Sequence, residues 1–459
     1  MVYHTFERLP GQGLPARVVH GLAALAVMLL SGEVAIYALH GAAMLAGLGH
    51  GPLDAGHWPS WWVVVTLCAL WVIALQAYCF DGRVWAPFVA LGIGILAVLI
   101  NTLGGGVSLV SYGDAGYLPM VIAEGERFSR WLLGTAVLSD AYPAAHALLG
   151  VSAAQWVEVL GGLVMAAFTV AIMVTSRGRL AYLFPLMTPM WMVFSSGYDE
   201  YYPFIAGVYV YFAILMYQRQ LPNRLWIPIL AAAMPLLYIA FAPLGALLLL
   251  RYWIDHPASR VKSFCIAAAV YIAGLLFFWP GGPVDYVSAL YLDLNLGEVN
   301  TAYAPYQGVS ASDYSPFFSV SYALSLQHGR ELLYMLLAGA GVVIPLLLLV
   351  GLSLFAVKRR CFKFTLKPSP PRALFIAFLL WQICYFVFMI PKLGPFVDID
   401  LFFSVYFALA LLAGAICDKW LSQASARVAQ LAYYYLVAAC LGAGLGSGYL
   451  ILVIGMLPK

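Results

Sequence analysis

Five carboxylates stand at the mouths of apolar runs, in short motifs rich in glycine, tyrosine and proline. Asp114 closes Ser111-Tyr112-Gly113-Asp114, Asp199 and Glu200 lie within Ser196 to Pro203, and Asp398 and Asp400 lie within Gly394 to Leu401. A fourth motif of this kind is Asp313-Tyr314-Ser315-Pro316. A carboxylate so placed can take a proton from a hydroxyl or help hold a divalent cation. Arg127, Arg130, Arg330 and Lys392 are cations that could grip a phosphate, and Tyr117, Tyr198 and Tyr202 could line the binding face beside them. Plainer roles compete for every one of these residues. Asp114 could cap the helix that follows it, Asp199 and Glu200 could be solvated in a tight turn, and Asp398 and Asp400 could cap the span they precede. The arginines could pair with Glu124, Glu126 and Glu331 at helical spacing.

The elements that must position these groups are membrane helices. Of 459 residues 64% are apolar and only 9% charged, and the mean hydropathy is +0.91. A water-soluble surface cannot be built from such a chain. The apolar runs are long and continuous, which excludes a transmembrane barrel. Candidate spans are 18–47, 60–79, 86–110, 150–175, 181–197, 203–218, 225–240, 241–252, 262–279, 333–357, 372–391, 400–417 and 431–456. The expectation is thus an all-α bundle of about 11–13 spans forming one integral-membrane domain over 1–459. The first apolar run is too long for a signal peptide core. The seven cysteines are scattered singly and read as packing residues.

The stretch 225–252 could be one helix or two, and the choice flips everything downstream. With two short segments and the N-terminus in the cytoplasm, only Arg127, Arg130, Arg330, Lys392 and Lys459 fall outside, leaving 18 of the 23 Lys and Arg inside. The positive-inside rule selects that topology. It makes 111–149 and 280–332 external loops and 358–372 a cytoplasmic basic loop. Most of the acids then face outward. In the first external loop, apolar residues alternate with Glu124, Glu126, Arg127 and Arg130, which suits short helices lying in the interface. The second, from Pro280 to Gln327, is dense in Tyr, Pro and Asp, so a lid or a wall for a sugar or lipid is expected. His146, His256 and His328 are dispersed, and Glu33 and Glu158 sit within spans with no evident partner.

These spaced motifs resemble those of bacterial polytopic C-type (GT-C) glycosyltransferases, over roughly residues 86–418. The likeness rests on Gly113-Asp114 after an early span, Gly197-Tyr198-Asp199-Glu200-Tyr201-Tyr202-Pro203 at a later helix start, and Gly394-Pro395-Phe396-Val397-Asp398-Ile399-Asp400-Leu401-Phe402. The resemblance implies an inverting transferase in the bacterial inner membrane. It would move a sugar from a polyprenyl-phosphate donor to a glycan or lipid acceptor on the outer, periplasmic face. Asp114 falls where that family has its base, with Asp199, Glu200 and Asp400 as further catalytic candidates. Arg127, Arg130, Arg330, Lys392, Asp398, Tyr117, Tyr198 and Tyr202 would bind substrate. No cofactor is required by the pattern, and a divalent cation is left open. Two alternatives remain: a transporter or flippase of a lipid-linked or polar solute, and an outward-facing polysaccharide polymerase or ligase. Nucleic acid is excluded as a partner, since no basic domain stands outside the membrane.

Overall fold

The computed structural model describes residues 14–46, 61–81, 118–125, 131–176, 179–195, 202–279, 281–293, 323–357, 370–388 and 402–455, together with 85–87, 89 and 92. Every regular element among the described residues is helical. In lipid a helix satisfies its backbone groups within one segment. The long helices are α1 (Leu14–Leu45), α2 (Trp61–Asp81), α5 (Ala153–Ser176), α11 (Arg260–Phe278), α16 (Phe403–Leu421) and α17 (Ala426–Gly455). Before α5 come α3 (Leu118–Glu124) and α4 (Leu132–Leu149). Between α5 and α11 lie α6 (Leu180–Leu183), α7 (Pro189–Ser195), α8 (Tyr202–Tyr217), α9 (Trp226–Leu237) and α10 (Ala242–Asp255). After α11 follow α12 (Gly282–Asp293), α13 (Leu326–Ala340), α14 (Val343–Val357) and α15 (Pro370–Phe388). Among the described residues five helices are long and apolar enough to cross a membrane; α13 and α14 pass that test only when taken together, across a sharp bend.

Two kinds of contact hold the bundle. α1 and α17 approach with backbone almost on backbone: a Cβ on Gly442 would meet the carbonyl of Met28, and one on Gly446 would meet that of Gly32. Small residues permit this approach, and in lipid such close packing drives association. Elsewhere the core is aromatic. Tyr209 of α8 lies within 5.5–6.4 Å, ring centroid to centroid, of Phe241, Phe378, Phe403 and Phe407. Helices α8, α15 and α16 and the turn ahead of α10 therefore meet around one buried ring.

Two expected spans, 181–197 and 333–357, prove to be broken, and the stretch 225–252 is the pair of short segments that the positive-inside rule selects. The segment 225–252 is two helices, parted by extended backbone at Tyr238 and a 3-10 turn over Ile239–Phe241. α9 and α10 fold back on one another so closely that a Cβ on Gly245 would strike the Ala231 carbonyl. The segment 181–197 is α6, a 3-10 turn over Phe184–Met187 and α7, interrupted at Thr188 ahead of Pro189. The segment 333–357 is not one span: α13 and α14 meet at 107°. Gly341 makes the bend at φ +80°, a conformation that favours glycine because it has no Cβ.

Candidate functional site at the end opposite the basic loops

Contacts between helix termini sort the bundle into two ends. At one, Gln76 of α2 donates to the Arg17 carbonyl of α1, and His20 meets Tyr435 of α17 at 2.8 Å. There too Asp418 accepts from the amides of Leu180 and Ala181, at 2.9 and 3.1 Å, and so ties α16 to α6. Tyr217 packs on both Tyr182 and Phe375. The turn before α9 is gripped by α10: Arg251 donates to the carbonyls of Gln218 and Arg219, while Asp255 accepts from the Leu221 amide and from Arg251 at 3.0 Å. Of the ten Lys and Arg whose side chains are described, nine lie at this end. They are Arg17, Arg179, Arg219, Arg224, Arg251, Arg260, Lys262, Lys419 and Arg427. The tenth is Arg330.

The opposite end is covered by helices that lie across it. α4 begins where Trp131 stacks on Tyr238, at the turn between α9 and α10, and Leu132 packs with Leu236, Leu275 and Tyr286. It finishes at the start of α5, where His146 lies 2.9 Å from the Val151 carbonyl. Trp156 donates back to the Leu138 carbonyl. Both termini of α4 are thus at the same end, although its 18 residues reach about 27 Å. Gly150, in the left-handed region at φ +67°, turns the chain into α5. α3 packs into the angle between α4 and α5 through Ile122. Two helices, α3 and α4, thus stand within 111–149, where the sequence led one to expect short helices.

α13 lies across the same end. Its partner α14 runs along α16, where a Cβ on Gly351 would touch Ile416 and Trp420, so the 107° bend sets α13 nearly at right angles to the bundle. Along its length α13 touches the ends of three helices. Gln327 donates to the Ala46 carbonyl just past α1, His328 to the Val387 carbonyl near the end of α15, and Gly339 lies on the ring of Tyr406 in α16. Ser325 caps the helix by accepting from the His328 amide at 3.1 Å. Inside, Gln327 also donates to Glu331 at 3.1 Å, and His328 Nδ1 lies 3.7 Å from the other Glu331 oxygen. A carbonyl can only accept, so His328 carries a proton on Nε2.

The candidates from sequence fall unevenly on this framework. Arg330 is exposed on α13. The pairing with Glu331 expected from spacing gives way to another, because Glu331 turns inward to Gln327 and His328. Tyr202 opens α8, and its side chain lies outside the described residues, as do Asp114, Tyr117, Arg127, Arg130, Tyr198, Asp199, Glu200, Lys392, Asp398 and Asp400. The described residues nearest to several of them share the crossed end. Trp131 follows Arg130 and stacks on Tyr238, Phe194 of α7 packs on Phe403, and Phe386 packs on Phe402. Sequence reasoning missed the cluster of Gln327, His328 and Glu331. Its signal was polar residues at i, i+1 and i+4 on a helix otherwise rich in leucine. Glu158, also left without a role, is buried about a turn and a half into α5. Among the described residues no three His, Cys, Asp or Glu side chains gather to hold a metal.

The chain is a multi-pass helical membrane protein, with one basic end and one end crossed by helices. No family model matches its sequence, and comparison with curated proteins and with solved structures gives no match either.

Proposed function

We propose that the chain is a membrane glycosyltransferase that takes a sugar from a polyprenyl-phosphate donor at the outer face of the membrane. The observation that supports this reading is the pair of helices, α4 and α13, laid across the end that lacks the nine clustered cations while Arg330 stands exposed there. By the positive-inside rule the basic end belongs in the cytoplasm and the crossed end outside. A transferase that works on a lipid-borne sugar needs a platform at headgroup level, and helices lying in the interface supply one.

In this reading Asp114 takes the proton of an acceptor hydroxyl as its oxygen attacks the anomeric carbon. The bond from that carbon to the phosphate oxygen breaks with inversion, and polyprenyl phosphate leaves. Asp199, Glu200 and Asp400 are the alternative acids for the base in this reading. Arg330 holds the phosphate together with Arg127, Arg130 or Lys392, and Asp398, Tyr117, Tyr198 and Tyr202 line the sugar. The test is transfer in nanodiscs from polyprenyl-phosphate sugars. Asp114→Asn keeps the shape of the side chain but removes its basicity, so turnover should fall about 10²–10⁴-fold with donor binding intact. Near-full turnover in that variant would move the base to another of these acids. Failure of the wild type to release polyprenyl phosphate from any donor would sink the reading.

One observation favours a second reading, transport. The two helix breaks meet: a Cβ on Gly341 would lie 3.3 Å from Pro189, beside the interruption at Thr188. Broken helices in contact are a mark of transporter binding sites. Uptake of a polar or lipid-linked solute into proteoliposomes, with no release of polyprenyl phosphate, would decide for it.

A further inference from the structure

The first half of α13 is inside out by the standard of a helix on a water-facing surface. Leu324 and Leu326 are 80% and 74% exposed and Leu333 is exposed too, whereas His328 and Glu331 are 0% and 1% exposed. Residues 326, 330 and 333 are spaced by four and three, so they form one face, on which Arg330 is the single charge. Gln327, Glu331, Tyr334 and Ala338 follow the same spacing on the other face, which is turned into the protein. A leucine stripe bearing one arginine suits the boundary of a bilayer, with the leucines among the acyl chains and the guanidinium at the level of the phosphates.

The buried polar groups are costly where they stand, because apolar residues of similar size would avoid the desolvation of a carboxylate and an imidazole. What they add is direction. With leucines on both faces, this half of the helix could roll about its axis with little change in burial, whereas each hydrogen bond here has a single geometry. Gln327 reaches the Ala46 carbonyl at 2.9 Å, His328 reaches the Val387 carbonyl at 2.7 Å, and Glu331 accepts from Gln327. The bonds pull on two neighbours, α1 and α15, and together they allow one rotation.

We propose that Gln327, His328 and Glu331 are positioning residues that pin the rotation of α13. They hold the face formed by Leu326, Arg330 and Leu333 against the lipid and set Arg330 to meet the phosphate of a prenyl phosphate. The identity of that lipid rests on the transferase reading, whereas the pinning does not.

Nitroxide labels placed singly at 326, 330, 333, 332 and 336, in nanodiscs of phosphatidylcholine, test the pinning directly. In an otherwise wild-type chain, labels at 326, 330 and 333 should be open to oxygen and shielded from an aqueous nickel chelate, and those at 332 and 336 should be less open. In the double variant Gln327→Leu, His328→Leu that contrast should collapse. Glu331→Gln keeps an acceptor for Gln327 and should preserve it. Gln327→Leu alone, at a half-buried position, serves where the double variant does not fold. An unchanged contrast in the leucine variants would overturn the proposal, as would labels at 326 and 330 open to the nickel chelate in the wild-type background.

A second arm measures binding of farnesyl phosphate, with farnesol and dioleoylphosphatidylglycerol as comparisons. The unlabelled wild type should prefer farnesyl phosphate to both. The leucine variants should weaken it about tenfold, the scale of one charge-assisted hydrogen bond lost, and Glu331→Gln should retain it. If the labels respond as expected but farnesyl phosphate binds no better than farnesol, the transferase reading fails and the pinning stands.

Discussion

At the basic end a set of buried and half-buried side chains holds backbone groups at helix starts and turns. Asp418 caps the start of α6 with both carboxylate oxygens, Asp255 and Arg251 grip the turn before α9, and His256 reaches the Leu221 carbonyl at 2.8 Å. Gln430 reaches the Cys79 carbonyl in the same way. At the crossed end Gln327, His328, His146 and Trp156 also meet backbone carbonyls, whereas Arg330, Glu124, Asp140 and Asp285 are exposed. The contrast teaches that charge serves two purposes in this bundle. Where helices enter and leave in short turns, charge satisfies termini that the turns leave open. Where helices lie across the ends of others, Arg330, Glu124, Asp140 and Asp285 stand at the surface, while Glu331 is turned into the protein.

The sharpest way to break this comparison is to ask which side of the membrane each end faces. In a cysteine-free background, Ser152→Cys between α4 and α5 should react in whole cells with an impermeant maleimide. Ala424→Cys between α16 and α17 should react only after permeabilisation. Equal labelling of the two would undo the orientation proposed from the nine cations.

The next effect in size is on stability. Asp255→Ala removes the partner of an almost fully buried Arg251 and an acceptor for the Leu221 amide. It should cost about 3–5 kcal/mol, the usual loss on breaking a buried ion pair. Arg330→Ala, at the other end, should stay within about 0.5 kcal/mol, as exposed substitutions do. Unfolding in detergent measures both, and comparable losses would mean that the ends do not differ as described. A smaller change sharpens the contrast. Asp418→Ala should cost about 1.5–3 kcal/mol, the worth of hydrogen bonds to a charged group, and Asp418→Asn should recover part of it through its remaining carbonyl. An Asp418→Ala protein as stable as the wild type would show that the cap on α6 is dispensable.

How much of this was legible beforehand depended on whether the signal was local. Hydropathy along the chain suffices for membrane helices, since a run of about 20 apolar residues must cross a bilayer wherever it folds. The break inside 225–252 could be argued from Pro235, Pro243 and the distribution of cations, because both signals lie in the sequence. The helix α3 showed in the alternation of apolar and charged residues from Pro119 onward, whereas α4, from Leu132 to Leu149, lies almost wholly beyond that pattern.

The bend at Gly341 left no such trace. Val343 to Val357 and the apolar part of α13 read as one run, and a single glycine there could equally sit within a straight helix. Only its contact with Pro189 and the packing of α14 along α16 decide the turn. The cluster on α13 was hidden for the same reason. Gln327 and His328 bond to the carbonyls of Ala46 and Val387, which lie 281 and 59 residues away from their donors, and Glu331 accepts from Gln327. Periodicity can tell that two faces of a helix differ, but which face turns inward depends on what stands opposite. In lipid the polar face can be the buried one, and that choice belongs to tertiary packing.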